Sequence, residues 1–306
     1  MSFLQNFSHS LVASGLANVD PRDLGSSDGA LVAALDRAKE SRVGIFSIES
    51  NVVEAEVVDM DKGQPEEVKT ARVSEVRDGN TFFVNISGDD TLKRVEEKMA
   101  AFKDANGLQA GPVELRKGKV VAAMFDDGTG VQWYRAKVTD RPSSDGTAKV
   151  IYMDYGNVGK VTVKQVRMLD AGISASPPAA KEVNLALVVS RDLGQDDGVA
   201  AARLLSRTVW GKELTLRVHG VEEGRMQATV YEVSNPLSVN ALLVAEGLAR
   251  IVSDRDSQAF GRRTQAESVA SLYSKLQDEQ DEAKRARRGI WVYGDVGEDD
   301  DEAAKY

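Results

Sequence analysis

Alternating apolar and polar positions mark the first readable elements of the chain. Ala71 to Val76 and Thr81 to Ile86 alternate on either side of Arg77-Asp78-Gly79-Asn80 and predict a β-hairpin. After Asp89 and Asp90, both natural N-caps, Leu92, Val95, Met99 and Phe102 recur at helical spacing as far as the stop signal Asn106-Gly107, which predicts one amphipathic linker helix. From Lys119 to Asp170 the texture turns to short strands, VVAAMF, QWYRAKVTD, AKVIYMD and VGKVTV, parted by the turn sequences DDGTG, RPSSDG and YGN. Four or five strands in about fifty residues bury a core only by closing into a small, strongly bent barrel. Beyond Pro177-Pro178 the pattern predicts an apolar strand from Val183 to Val189, a helix from Val199 to Val209, and two alternating strands, Glu213 to Val218 and Met226 to Glu232.

One pattern occurs twice. LVASGLA (11–17) and AKESRVGIF (38–46) parallel LVAEGLA (243–249) and AKRARRGIW (283–291): a short helix, a glycine, a connector, then a charged amphipathic helix ending in glycine and a large apolar residue. The second copy has strands in front of it and the first has almost none. A helical pair cannot bury its apolar faces alone, so the chain is expected to begin inside a domain of a longer protein; the alternative is that residues 1–48 dock elsewhere as an independent helical hairpin. Between the first copy and the hairpin, residues 49–68 carry Glu54, Glu56, Asp59, Asp61, Glu66 and Glu67 and read as an acidic linker.

Composition narrows the chemistry. The formal charge is −9, from 48 acidic against 39 basic residues, which suits a cationic partner better than a polyanion. There is no cysteine, and His9 and His219 are the only histidines, so neither a disulfide nor a zinc site is expected, and no cofactor is implied. No apolar run approaches the length of a membrane span, and no membrane partner is expected. The acidic stretch after Asp295 reads as a solvated tail.

The stretch IYMDYGN (151–157) places Tyr152 and Tyr155 beside a Gly-Asn pair whose tolerance of positive φ makes a bend between strands. MFDDGTGVQWYRAKV followed by VIYMDYGN resembles a Tudor domain, and the flanks resemble staphylococcal nuclease-like (SN) domains. The order of these pieces resembles the C-terminal part of the Tudor-SN family. That resemblance implies a mainly β fold with helices: a small SH3-like Tudor barrel inserted into an oligonucleotide/oligosaccharide-binding (OB) type barrel, preceded by the helical tail of another SN-like domain. Residues 1–48 would be that tail, 49–68 the linker, 69–111 the first strands of the last SN-like domain with the linker helix, 112–170 the Tudor domain, 171–295 the remainder of the SN-like domain and 296–306 the tail.

The family recognises methylated arginine, a guanidinium that keeps its charge while losing N–H donors and gaining apolar surface, so a cluster of π faces suits it better than a carboxylate fork. Carried over by position, the cage falls on Phe125, Tyr134, Tyr152 and Tyr155, with Asn157 hydrogen-bonding the guanidinium. Any one of these aromatics is ordinarily barrel core; four at matching positions around an Asp-Tyr-Gly-Asn turn favour a cage at the barrel rim. Trp133 and Tyr134 are adjacent and must face opposite sides, which assigns Trp133 to packing. Asp154 is expected to fix the turn through backbone hydrogen bonds. The loop from Asp126 to Gln132 is longer than usual for the family.

The SN resemblance also raises phosphodiester hydrolysis, which needs carboxylates to hold a cation and arginines to neutralise phosphate. Asn80, Asn184 and Val189 stand where that chemistry needs charge, so no catalytic residue is expected. Arg225, Arg262, Arg263, Lys284 and Arg285 remain candidates for nucleic-acid contact. The resemblance further implies arginine-methylated partners of the spliceosomal Sm type or the Piwi type, RNA as a further partner, roles in splicing, transcription and RNA silencing, and residence in cytoplasm and nucleus.

Overall fold

A computed structural model describes residues 67–111, 113–233, 235–264 and 268–294, with a few isolated positions before 67. The chain divides into two units, residues 1–62 and 63–306. In the first, Ala34 and Ala38 are buried and the Ser41 N–H donates to the Arg37 carbonyl at 2.9 Å. The first copy of the repeat, the acidic linker up to Glu66 and the acidic tail otherwise lie outside the described residues.

The second unit is mainly β with helices, as the alternation predicts. The hairpin strands are β1 (Glu67–Val76) and β2 (Thr81–Ile86), followed by the linker helix α1 (Thr91–Asn106). Glu67 and Val68, read from the sequence as linker, already belong to β1, where they pair with Val218 and Arg217. Asp90 is the N-cap residue of α1 but its side chain makes no capping bond; the Asp89 carboxylate instead accepts the Thr91 N–H at 2.8 Å. Then come β3 (Val120–Asp126), β4 (Val131–Val138), β5 (Thr147–Tyr152), β6 (Val158–Thr162), β7 (Val166–Arg167) and the short helix α2 (Ala171–Ser174). The rest is β8 (Lys181–Leu185), β9 (Val188–Ser190), α3 (Asp196–Val209), β10 (Glu213–Glu222), β11 (Arg225–Glu232), α4 (Val239–Ala245), β12 (Ala249–Ile251), α5 (Asp254–Thr264) and α6 (Ser268–Arg285).

Two five-stranded assemblies result. One is a closed barrel in the order β1-β10-β11-β8-β2, so its strands come from both sides of the other, a sheet in the order β6-β5-β4-β3-β7. Phe82, Val84, Val183, Leu185, Leu214, Leu216 and Val230 fill the closed barrel, and α3, α4 and α6 cover it with Leu205, Leu243 and Leu276.

The expected strand Val183 to Val189 is broken. It turns at Ala186-Leu187, where Leu187 takes φ 63°, and β9 leaves the barrel to pair with β12. The break stays satisfied because buried Asn240 donates to the Ala186 and Ala228 carbonyls and accepts the Val230 N–H. The second copy of the repeat explains its glycines: the Ile290 N–H donates to the Gly247 carbonyl at 2.9 Å, and a Cβ on Gly289 would sit 2.1 Å from that same oxygen. Two backbones touch there, and only glycine at both positions allows it.

Candidate functional site

Strand alternation builds the site. In the five-stranded sheet Val121, Ala136, Val138, Val150 and Val161 face inward, and Phe125, Tyr134 and Tyr152 continue those rows to one end of the interior. Tyr155 joins them from the turn after β5. Gly156 allows that turn, with φ 94° and so little room that a Cβ would meet the Phe83 ring at 2.1 Å. The turn is anchored to the closed barrel: Ser74 Oγ donates to the Tyr155 carbonyl at 2.6 Å and Asn85 Nδ2 to the Asp154 carbonyl at 3.1 Å.

The four rings converge around Tyr134. Its centroid lies 6.0 Å from Phe125, 6.1 Å from Tyr152 and 5.5 Å from Tyr155, with interplanar angles of 82°, 84° and 82°. Phe125 and Tyr152 are 5.0 Å apart and tilted by 54°. Phe125 and Tyr155 thus stand nearly perpendicular to the same ring. Asn157 is half-buried at the start of β6, its carbonyl accepting the Tyr152 N–H at 2.9 Å.

Tyr152 is not a rim group. Only 2% of it is exposed, it packs in the sheet's core, and its hydroxyl donates to the Met124 carbonyl at 3.0 Å; burial pushes the phenol up to about 12. Its position at the inward-facing end of β5 makes it the floor of the ring cluster. Phe125, by contrast, is 36% exposed.

Trp133 is buried on the opposite, outer face of the sheet. It packs with Val95, Met99 and Phe102 of α1, edge to face with Phe102 at 6.1 Å, and its indole N–H donates to the Gly107 carbonyl at 2.7 Å. Arg135 shares that outer face and is also buried. It donates from Nε to Asp154 Oδ2 at 2.9 Å and from Nη2 to Oδ1, and its remaining donors reach the carbonyls of Ile173, Ser176 and Pro177 at 2.8–2.9 Å. Asp154 also accepts the Ala179 N–H at 3.1 Å. The aspartate therefore holds its turn chiefly through a buried ion pair, not through backbone hydrogen bonds alone, and the pair ties the sheet to the segment that re-enters the closed barrel.

Two carboxylates missed from the sequence touch the rings. Asp127 Oδ2 accepts the Tyr134 hydroxyl at 2.6 Å, and Glu96 Oε1 on α1 accepts the Tyr155 hydroxyl at 2.7 Å. The Thr129 hydroxyl and the Tyr134 phenol hold the Asp127 carboxyl down to about 2. Both phenols are pushed well above the usual tyrosine range, first by burial and then by these acids. The long loop containing Asp127 is ordered by the aspartate itself, which accepts the Thr129 N–H at 2.9 Å. A cleft of about 410 Å³ adjoins the rings between α1 and β4, lined by Glu96, Asp104, Asp127, Trp133, Tyr134 and Tyr155.

Four of the five basic candidates are already engaged. Arg225 lies 3.2 Å from Glu182, Arg263 pairs with Glu222 at 2.6 Å, Lys284 sits 4.7 Å over the Trp291 ring, and Arg285 donates to the Asp281 carbonyl. Arg262 is in the last turn of α5. Asn80 and Asn184 lie near each other, since β2 pairs Thr81 with Asn184, and the side-chain oxygens of both are buried without a hydrogen-bond partner.

Comparison with known proteins supplies the context. Residues 63–187 match the Tudor domain family. The chain is 29% identical over 306 residues to staphylococcal nuclease domain-containing protein 1 of Drosophila melanogaster, covering 96% of this chain and 31% of that protein. The solved extended Tudor domain of Drosophila melanogaster Tudor-SN is 26% identical, with a TM-score of 0.61 over 74% of this chain and 100% of that one. The extended Tudor domain from BmPAPI, solved in complex with sDMA, is 25% identical, with a TM-score of 0.50 over 60% of this chain and 99% of that one. The chain spans about three tenths of the length of the curated relatives it matches over most of its own length.

Proposed function

We propose, for a chain whose residues 63–187 are a Tudor domain and which is similar to Tudor-SN proteins over most of its length, that it reads methylated arginine, symmetric dimethylarginine above all. The observation that carries this reading is the convergence of Phe125, Tyr134, Tyr152 and Tyr155 at one end of the sheet, with Phe125 and Tyr155 as walls across Tyr134 and Tyr152. A planar methylated cation between such faces gains about 0.5–2 kcal/mol from each, and more where water is excluded. Asn157, half-buried beside the turn, is the hydrogen-bonding group for a remaining guanidinium N–H. The solved BmPAPI complex, with the same fold and an sDMA ligand, supports the assignment.

The ligands are Arg-Gly-rich tails of arginine-methylated proteins, of the Piwi type or the spliceosomal Sm type, docked onto a larger RNA-regulatory scaffold that acts in splicing, transcription and RNA silencing in cytoplasm and nucleus. This piece performs no catalysis: Asn80, Asn184 and Val189 bring no charge for a metal or a phosphate, and the guanidinium of Arg225 is taken up by Glu182. Residual nuclease action or nucleic-acid binding through Arg225, Arg262, Arg263, Lys284 and Arg285 is the weaker alternative, because four of the five are held by contacts within the fold.

Calorimetry with one Arg-Gly peptide in three forms tests the reading. Symmetric dimethylation should bind best. Asymmetric dimethylation, which widens the group by placing both methyls on one nitrogen, should bind less well, and the unmodified form weakest. Tyr155→Ala should abolish most of the preference. Equal affinity for all three forms would make the rings mere packing.

A further inference from the structure

Beyond the rings themselves, and resting on the methylarginine reading, the phenol–carboxylate contacts carry a second conclusion. The hydroxyls of the two tyrosines nearest each other in the cluster are each taken by an acid from a different element: Tyr134 by Asp127 of the β3–β4 turn at 2.6 Å, and Tyr155 by Glu96 of α1 at 2.7 Å. Both acids are positioned independently of any ligand. Asp127 Oδ1 already accepts the Thr129 N–H and hydroxyl. Glu96 rides on a helix fastened to the sheet by Trp133 and by a 2.7 Å hydrogen bond from Lys103 Nζ to Gln132 Oε1.

Such an arrangement favours one kind of cation over another. A phenol that donates to an anion has an electron-richer ring, and the anion itself adds negative charge beside the π faces; both strengthen attraction for a guanidinium. An unmodified arginine would gain most from an open carboxylate fork that takes two parallel N–H bonds. Asp127 does not offer that fork, since three donors already occupy its two oxygens. We propose that Asp127 and Glu96 are specificity-determining residues of the cage, fixing the Tyr134 and Tyr155 rings and charging the site for a cation, with Asp127 withholding the fork that rewards unmethylated arginine.

The test compares the full chain with Asp127→Asn, Asp127→Ala, Glu96→Gln and, as a charge control on the same helix, Glu97→Gln. Calorimetry uses an Arg-Gly peptide with symmetric dimethylarginine and its unmodified form, and ultraviolet titration follows tyrosine ionisation. Asp127→Asn and Glu96→Gln keep an acceptor for the phenol but lose the charge, so affinity for the methylated peptide should fall about three- to tenfold and one phenol should ionise at lower pH. Asp127→Ala loses the acceptor too and should fall further, with the preference for methylation collapsing. Glu97→Gln should stay within about twofold of wild type. Wild-type affinity and an unchanged phenol titration in Asp127→Asn and Glu96→Gln would overturn the inference, as would an equal loss in Glu97→Gln, which would reduce the effect to net charge. If wild type itself does not distinguish the two peptides, the reader assignment fails and this inference with it; a phenol shift alone would then mark the contacts as structural clasps.

Discussion

The closed barrel and the Tudor sheet each use five strands, and they fill their interiors differently. The barrel turns Phe82, Val84, Val183, Leu185, Leu214 and Leu216 inward, so its centre is apolar throughout. The Tudor sheet begins the same way with Val121, Ala136, Val150 and Val161, but at one end the rows finish in Phe125, Tyr134 and Tyr152. Phenols inside a sheet are tolerable because each hydroxyl has a fixed acceptor, the Met124 carbonyl for Tyr152 and Asp127 for Tyr134. The sheet therefore leans on its outer face for stability, where α1 covers Trp133 and the Arg135–Asp154 pair is sealed under residues 171–179. A barrel that closes on itself is a scaffold. A sheet that leaves π faces at its end has the surface that the proposed reader needs, and its turn is anchored to the scaffold beside it.

The strongest way to break that comparison is to take away the barrel's contribution. A chain that starts at Ser87 lacks β1 and β2, which pair with β10 and β8, and the remaining three barrel strands should show no cooperative denaturant transition and poorly dispersed amide signals. A cooperative, well-dispersed barrel without them would show that the barrel does not need strands from both sides of the inserted sheet. Next in size, Trp133→Ala should cost about 3–5 kcal/mol in urea unfolding, because it opens a cavity under α1, whereas Tyr155→Ala should cost less than about 1 kcal/mol while removing the methylarginine preference. Equal costs would erase the distinction between the sheet's supporting face and its ring-bearing end.

A smaller effect than that of Trp133→Ala belongs to the closed barrel. Its buried His219 contacts Thr229 at 2.7 Å and Ser268 at 3.2 Å, and burial, then the nearby Arg217, lowers it to about 4. The unfolded chain takes up this proton near the usual histidine value and the folded one only near 4. The contribution is therefore fully present above about 6.5 and is lost as pH falls towards 4, amounting to roughly 2–3 kcal/mol. Urea midpoints of wild type and His219→Gln should diverge by that amount between pH 7 and pH 4; parallel pH profiles would place the sensitivity elsewhere.

How far the sequence reaches is clear from particular residues. The period of Leu92, Val95, Met99 and Phe102 gives α1, because a helix that must cover an apolar surface repeats its apolar positions. The Gly-Asn turn and the alternation through Trp133-Tyr134 give the convergence of the rings. Burial is less legible. Tyr152 reads as a rim residue because nothing local says that the row it ends runs into the core. Asp154 reads only as a turn-fixing residue and nothing in the sequence singles out Arg135; the return of residues 171–179 over them makes a buried pair. The break at Ala186-Leu187 is invisible within an unbroken apolar run, since the acceptors and donors that permit it come from Asn240, far along the chain. Asp127 stands in a turn sequence, where aspartate is expected for backbone reasons alone.

The split of the closed barrel has a consequence for how the chain reaches its native state. During synthesis β1 and β2 emerge as a hairpin that finds its next neighbour only when β8 appears, with the whole inserted sheet in between, and the barrel closes once β10 and β11 follow. Closing a flexible loop of that span costs roughly 2 kcal/mol more than closing one of about ten residues. If the insert folds first, its two ends are brought together by contacts already in place: the turn at Asp154 and Tyr155 meets Ser74 and Asn85, and Asp154 receives Ala179 just ahead of β8. The inserted sheet would then act as the clip that shortens the loop, and substitutions at Asp154 should slow refolding of the barrel as well as destabilise the ring cluster.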